Sequence, residues 1–367
     1  MNTNAQNYNP WLYRFIMVTA TATFLLLGLG GLVTSHEAGM SVPDWPTSYG
    51  YPMFSLPIKF WKGGAFFEHT HRLLASGIGF LTTILAVWLW FKDPRRWMRW
   101  LGVLAFVLVA LQGVLGGLRV TLHMDKLGIV HGALAQSFFV LICALALFTS
   151  RWWQNSAAAV YDRRSNSETS TAVADRRYSN LRWLVLFTTL LIFTQLILGA
   201  TMRHQHAGLA IPDFPAAYGK IWPDTSAVAV ARYNADRIEV ISENPITAFQ
   251  IVLQMAHRMV ALAIFIGVAV CAWLAWRRLG KRDALARLAV YWLALIVAQI
   301  ILGAVTIWTN KAADVATAHV LVGALSLVTG ALWCAAAFHR PEPLSRVEPV
   351  DTISSAFGAN PALAANK

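Results

Sequence analysis

Charge is scarce in this chain: Asp, Glu, Lys and Arg together make up 13% of its 367 residues, while hydrophobic types make up 57%. Soluble domains carry about 25% charged residues, so a water-soluble fold is excluded. Acid is scarcer still, with 18 acidic residues against 30 Lys and Arg and a net charge of +12. Cysteine occurs three times, at Cys143, Cys271 and Cys334, each inside an apolar run and without metal-ligand spacing. That excludes a disulfide framework and a zinc ribbon, and the three read as small core residues. Aspartate-rich diphosphate-binding motifs are also missing, which excludes a prenyltransferase.

What is present is length of apolar sequence. A membrane-spanning helix needs about 20 mostly apolar residues, and such runs lie near 11–33, 71–91, 98–119, 128–149, 182–201, 249–276, 286–308 and 316–338. The expected fold is all-α, an integral membrane protein of eight transmembrane helices. The first run exceeds a signal-peptide core and lacks a small-residue cleavage site after it, so it reads as a retained span. The basic residues gather in particular loops: Lys92, Arg95, Arg96 and Arg99; Arg151 to Arg182; and Arg277, Arg278, Lys281, Arg282 and Arg287. By the positive-inside rule these loops and both termini are expected on the cytoplasmic side of an inner (cytoplasmic) membrane. The excess is an orientation signal, and no nucleic-acid partner is expected.

The chain repeats itself. AGMSVPDWPTSYG (Ala38 to Gly50) follows the first span, and AGLAIPDFPAAYG (Ala207 to Gly219) follows the fifth. LQGVLGG (Leu111 to Gly117), TQLILGA (Thr194 to Ala200) and AQIILGA (Ala298 to Ala304) share a further signature. These readings divide the chain into an N-terminal four-helix unit at 1–150, a cytoplasmic linker at 151–181, a C-terminal four-helix unit at 182–338 and a cytoplasmic tail at 339–367, the two units being pseudo-symmetric bundles. Residues about 221–245 have no counterpart in the first unit. The recurring glycines permit close approach either of another helix or of a flat ligand. The PDWP and PDFP loops are expected to be ordered caps, with Asp44 and Asp213 bonding their own backbone or serving a function.

Four of the ten histidines recur at matched places: His71 and His131 in the first unit, His257 and His319 in the second. Each stands at the outer start of an even-numbered span, so the two in each unit share a depth and can face one another across a bundle. Ionisable groups within spans are costly enough to imply a role, and facing helices of bundles commonly hold cofactors this way. Zinc requires three or four ligands; a planar haem requires two axial ones. Arg72 and Arg258, one residue past a ligand, are candidates for pairing with haem propionates, or for reaching toward lipid headgroups. His36, His69, His123, His204 and His206 lie in or near the outer loops without clean matches and are assigned no ligation, and His339 is placed in the tail.

The Glu-x-x-His-Arg of Glu68 to Arg72, the His-Arg of His257 and Arg258, the partners His131 and His319, and the PDWP and PDFP loops together resemble the haem A synthases of the COX15/CtaA family, across about 11–338. The resemblance implies oxidation of a methyl group of haem O to the formyl group of haem A for the terminal oxidase. It implies haem b held by His257 and His319, haem O as substrate near His71 and His131, and a functional role for Glu68. As partners it implies a haem O synthase supplying the substrate and assembly factors of the terminal oxidase. The electron partner stays open between a membrane quinone and a ferredoxin-like donor. Some members carry a cysteine pair in the first outer loop; residues 34–70 here contain none, so the chain resembles the cysteine-free type.

The second unit has Gln254 where the first has Glu68. Three residues along a helix bring Glu68 over the face of His71, where a carboxyl can handle protons or steady positive charge during oxidation. Gln254 can only hydrogen-bond. The acid is therefore expected to mark the reactive unit, the alternative being a carboxylate that balances Arg72. A rival reading of the whole chain is a bis-histidine dihaem cytochrome b that carries electrons and performs no chemistry on haem.

Overall fold

The computed structural model describes residues 8–124, 126–154, 172–237 and 245–339, and within 172–179 the backbone alone. Much of the expected linker (155–171) and nearly all of the tail (340–367) lie outside the described residues. In a lipid interior a chain satisfies its N–H and C=O groups only within helices or closed barrels. The apolar runs accordingly fold as α1 (Pro10–Ser35), α2 (Gly63–Lys92), α3 (Arg96–Thr121), α4 (Leu127–Thr149), α5 (Ala172–His204), α7 (Ala248–Leu279), α8 (Ala284–Trp308) and α9 (Ala313–His339). The short α6 (Ala227–Ala235) lies in the loop between α5 and α7. No β-strand occurs among the described residues beyond two isolated bridges. Among the described residues, eight helices are long and apolar enough to cross a membrane, and large apolar side chains such as Phe80, Phe91, Trp100, Ile266 and Trp273 point outward from them. The protein is a multi-pass membrane protein.

Local chemistry sets the helix ends. Asn9 accepts from the backbone N–H groups of Trp11 and Leu12, with Pro10 in the first turn. Thr247 and Gln250 form a reciprocal capping box at the start of α7, and Gln250 also donates to Gln205 O at 2.7 Å, tying that start to the end of α5. Between α2 and α3, Asp93 pairs with Arg95 at 2.7 Å, and Arg95 donates to Phe148 O at the end of α4.

Helices α1 to α4 pack in succession, with α4 returning to α1; α5, α7, α8 and α9 do the same, with α9 returning to α5. The two sets meet where α1 and α4 lie against α9, and α4 against α5. One apolar core centres on Trp292 and Trp333, and another on Ile16, Leu85, Leu89, Met98 and Ile142. Cys271 and Cys334 are buried and Cys143 is partly so, all three reduced.

The two outer loops have the same conformation. Both contain a cis X-Pro bond, Trp45–Pro46 and Phe214–Pro215. Both follow it with a left-handed tyrosine, Tyr49 and Tyr218 at φ 52°, and a left-handed glycine, Gly50 and Gly219. The left-handed tyrosines are held by the preceding aspartate: Asp44 accepts from the N–H groups of Tyr49 and Gly50 at 2.6 and 2.8 Å, Asp213 from those of Tyr218 and Gly219 at 2.7 and 2.8 Å. These aspartates bond their own loop, one of the two alternatives left by the sequence. Burial alone would raise the Asp44 pKa, but bonds from Thr47, Gly50 and Tyr49 outweigh it and hold the carboxyl below its ordinary value. The inserted segment packs on the second loop, Tyr233 of α6 stacking on Tyr218 at 3.6 Å.

Candidate functional site

The helices start earlier than hydropathy suggests. α2 begins at Gly63, so His71 lies two turns inside the helix and not at its outer end; His257 lies similarly deep in α7. The polar residues Glu68 and His69 hide this from the sequence, yet both are buried, at 4% and 1% exposed, beneath the first outer loop.

Each of the four matched histidines rests on a glycine of the preceding long helix. A methyl group built on Gly30 would lie 3.1 Å from His71 Cε1, on Gly116 3.4 Å from that of His131, on Gly199 3.3 Å from that of His257, and on Gly303 3.3 Å from that of His319. Each of these glycines thus leaves room for an imidazole ring from a neighbouring helix, a close contact between helices. Nδ1 of every one of the four is buried without a hydrogen-bond partner. His71 and His131 lie within electrostatic reach of each other, as do His257 and His319. Gln112, four residues before Gly116, donates to His131 O at 3.0 Å, and Gln195, four residues before Gly199, donates to His257 O at 2.9 Å. The spacing Gln-x-x-x-Gly recurs at Gln299 and Gly303. That recurrence was the available signal for these glutamines, which sequence reasoning did not single out.

Four rings seated on glycines, two in each set of helices and within electrostatic reach of each other, are a donor set that fits axial ligation of two planar macrocycles. Among the described residues no group of three or more His, Cys, Asp or Glu is placed to hold a metal ion. Three of the other histidines stand apart from this arrangement. His36 stacks on Phe67, His69 meets Ser48 Oγ at 3.3 Å, and His339 ends α9 stacked on Trp153, within the helix rather than in the tail. His204 packs on Gly128, within reach of His131.

Glu68 and Gln254 occupy equivalent places and perform the same structural task. Glu68 Oε2 accepts from Val42 N–H at 2.9 Å, and Gln254 Oε1 accepts from the matched Ile211 N–H at 2.6 Å. The other end of each group differs. Glu68 Oε1 pairs with Arg72 at 2.6 Å, and Arg72 in turn donates to Val42 O. Gln254 Nε2 donates directly to Ile211 O at 3.3 Å and to Gly208 O at 3.2 Å. The same loop carbonyl is therefore satisfied by an arginine in one unit and by the amide in the other. Arg72 also donates to Asp44 O and Thr47 O, and Arg258 to the matched Asp213 O and Ala216 O. Both arginines donate to loop backbone, and Arg72 also to the Glu68 carboxylate.

With two histidine pairs, two clamped loops and eight membrane helices in place, comparison with known proteins is decisive. The profile of COX15-CtaA, cytochrome oxidase assembly protein, matches residues 13–331. The chain belongs to this family. It is 28% identical over 359 residues to the Heme A synthase of Rhizorhabdus wittichii, covering 90% of this chain and 95% of that one. It is 25% identical over 329 residues to the Heme A synthase of Lysinibacillus sphaericus, covering 89% and 94%. That of Bacillus cereus is 23% identical over 329 residues, covering 86% and 89%. Family membership spans both histidine pairs and both outer loops.

Proposed function

We infer that this protein is a haem A synthase, oxidising a methyl group of haem O to the formyl group of haem A for assembly of a terminal oxidase. The observation that carries the reading is the glycine-seated histidine quartet, two pairs in one COX15-CtaA chain. We assign His257 and His319 to the iron of a resident haem b, and His71 and His131 to the iron of the substrate haem. The units are then 1–150 for substrate and 182–338 for haem b, as pseudo-symmetric four-helix bundles joined by 151–181. Bound haem b supplies one-electron redox chemistry.

In this scheme the chain's own residues orient and enclose. Each glycine and glutamine fixes the ring or the backbone of a ligand. Arg72 and Arg258 clamp the outer loops over the two sites, and stay candidates for pairing with haem propionates. Glu68 places a carboxylate one helical turn from His71, anchored to Val42 N–H and Arg72, where it steadies positive charge or accepts a proton as the methyl group is oxidised. The basic loops support a cytoplasmic side of the inner membrane for both termini and for the tail after His339. A haem O synthase delivers the substrate and oxidase assembly factors receive the product.

The test is co-expression in a host that produces haem O, followed by extraction and separation of haems. Haem A is expected only when the chain is present. Unconverted haem O with two bound low-spin haems would instead support a dihaem cytochrome b.

A further inference from the structure

We propose that residues 51–62 of the first outer loop are a lipid anchor: Phe54 and Ile58 enter the boundary between headgroups and acyl chains, and Lys59 and Lys62 hold acidic phospholipid headgroups. The chain here folds as two short 3-10 turns, Met53–Ser55 and Ile58–Phe60. Phe54 is 80% exposed and Ile58 85%. Single exposed apolar residues are ordinary on any protein; what gives these two a meaning is their depth.

Ser76 Oγ donates to Met53 Sδ at 3.5 Å. Ser76 stands in α2 five residues beyond His71, about 7.5 Å further along the axis at 1.5 Å per residue, and inside the apolar run that begins near 71. The loop therefore comes back along α2 to the level of the spanning run, and Phe54 is the next residue in the chain. At that level backbone groups must be satisfied without water. The N–H groups of Tyr51, Ser55, Phe60, Trp61 and Lys62 donate to carbonyls of Ser48, Pro52, Pro57, Ile58 and Phe60, and Pro52 and Pro57 have no N–H to place. Trp61 Nε1 donates to Leu56 O at 3.3 Å.

Charge selects the kind of lipid. From Tyr51 to Phe67 the chain carries Lys59 and Lys62 and no acid, and both lysines are exposed. Lys59 Nζ lies over the Phe60 ring, 5.1 Å from its centre, and Phe60 stacks on Tyr49 at 5.0 Å, which ties the turn to the left-handed corner of the loop. Apolar tips with lysines beside them match an acidic membrane surface. A protein partner reading the same lysines requires tips that stand clear of lipid, which the contact at Ser76 opposes. The second outer loop repeats the chemistry: after Gly219, the match of Gly50, come Lys220, Ile221 at 96% exposed and Trp222 at 55%, with Trp222 in the place of Met53.

The test uses the full-length protein in phospholipid vesicles. Ile58→Cys is labelled with a nitrobenzoxadiazole fluorophore, and Phe54→Cys repeats the measurement at the other tip. The unsubstituted chain, whose three cysteines are buried or partly so, gives the background, and Phe80→Cys on the exposed face of α2 gives the full lipid signal. The quenchers are aqueous iodide and phospholipids bearing a nitroxide near the top of the acyl chain, on phosphatidylcholine or on phosphatidylglycerol. Nitroxide lipids are expected to quench both tips and iodide to spare them. Phosphatidylglycerol should be enriched at the label over phosphatidylcholine, by roughly fivefold for each lysine, and Lys59→Gln with Lys62→Gln should remove that preference. Quenching by iodide and not by nitroxide lipids, at either tip, would overturn the anchor and leave a water-facing surface open to a protein partner. Equal quenching by the two lipids, or a preference for phosphatidylglycerol that survives loss of both lysines, would overturn the role given to Lys59 and Lys62.

Discussion

Replacing Glu68 by Gln writes the second unit's residue into the first, and the geometry allows its cost to be worked out. The substitution deletes one charge-assisted bond, to Arg72 at 2.6 Å, of a kind that contributes about 1.5–3 kcal/mol. Val42 N–H keeps an acceptor, as Ile211 N–H has in Gln254. The new amide N–H faces Val42 O just as that of Gln254 faces Ile211 O, and Arg72 retains the carbonyls of Val42, Asp44 and Thr47. The loop should therefore stay closed and haem b content should be unchanged. Glu68→Ala is another matter. It loses the same Arg72 bond and in addition leaves the buried Val42 N–H without its acceptor, about a further 1–3 kcal/mol, so this variant should accumulate less well than Glu68→Gln.

Activity then isolates the chemistry. With fold and haem b preserved, Glu68→Gln should lower conversion of haem O to haem A by roughly 10²–10⁴-fold, the range for losing a positioned acid or base. The assay is haem extraction from the co-expressing host, with haem A and haem O quantified against haem b in the same membranes. A hydroxylated haem accumulating in this variant would place the acid's role at the later oxidation. Gln254→Glu, the reciprocal change, forfeits the amide bonds to Gly208 O and Ile211 O; it should weaken haem b retention while conversion per bound haem b stays near wild type. Near-wild-type haem A from Glu68→Gln, together with poorer accumulation of Glu68→Ala, would refute the chemical role and leave Glu68 as a loop anchor.

Loss of either ligand in the second unit, His257→Ala or His319→Ala, should remove most b-type absorbance from purified protein, whereas His71→Ala or His131→Ala should spare it and abolish haem A; the reverse pattern would exchange the roles of the units. Gly199→Leu and Gly303→Leu fill the seats of His257 and His319, where even a methyl group would lie 3.3 Å from the ring, so both should lose haem b while circular dichroism stays helical. Gly199→Ala needs a shift of only a few tenths of an ångström and should retain it. A periplasmic reporter fused after Arg164 should be inactive and a cytoplasmic one active; the opposite result would overturn the orientation and with it the shared outer depth of the histidines.

The parts of this structure legible in the sequence are those written in its period. Eight apolar runs and a repeated loop led to eight membrane helices and two loops of one conformation, and register within the repeat picked out His71, His131, His257 and His319 before any contact was known. What stayed hidden depends on partners from other helices. Nothing around Gly30 says that an imidazole from α2 will occupy its open side, so close helix packing and ligand approach were equally good readings of the recurring glycines. Arg72 and Arg258 stand beside ligands in sequence, but their donors point to carbonyls of a loop some 25 to 45 residues earlier, by the separations of the bonded pairs. Arg119 reaches Gly39 from across the unit and left no mark in the pattern. The acid-to-amide change at 68 and 254 is the subtlest case. Read alone, it signals a titrating group gained in one unit. Read with the loop carbonyls, it is a compensated exchange: where the amide supplies the donor to Ile211 O itself, the acid recruits Arg72 to supply the one to Val42 O. Because the loop is held equally well either way, closure of the loop does not require the acid, and whatever the acid adds must be sought in what happens to the ligand beneath it.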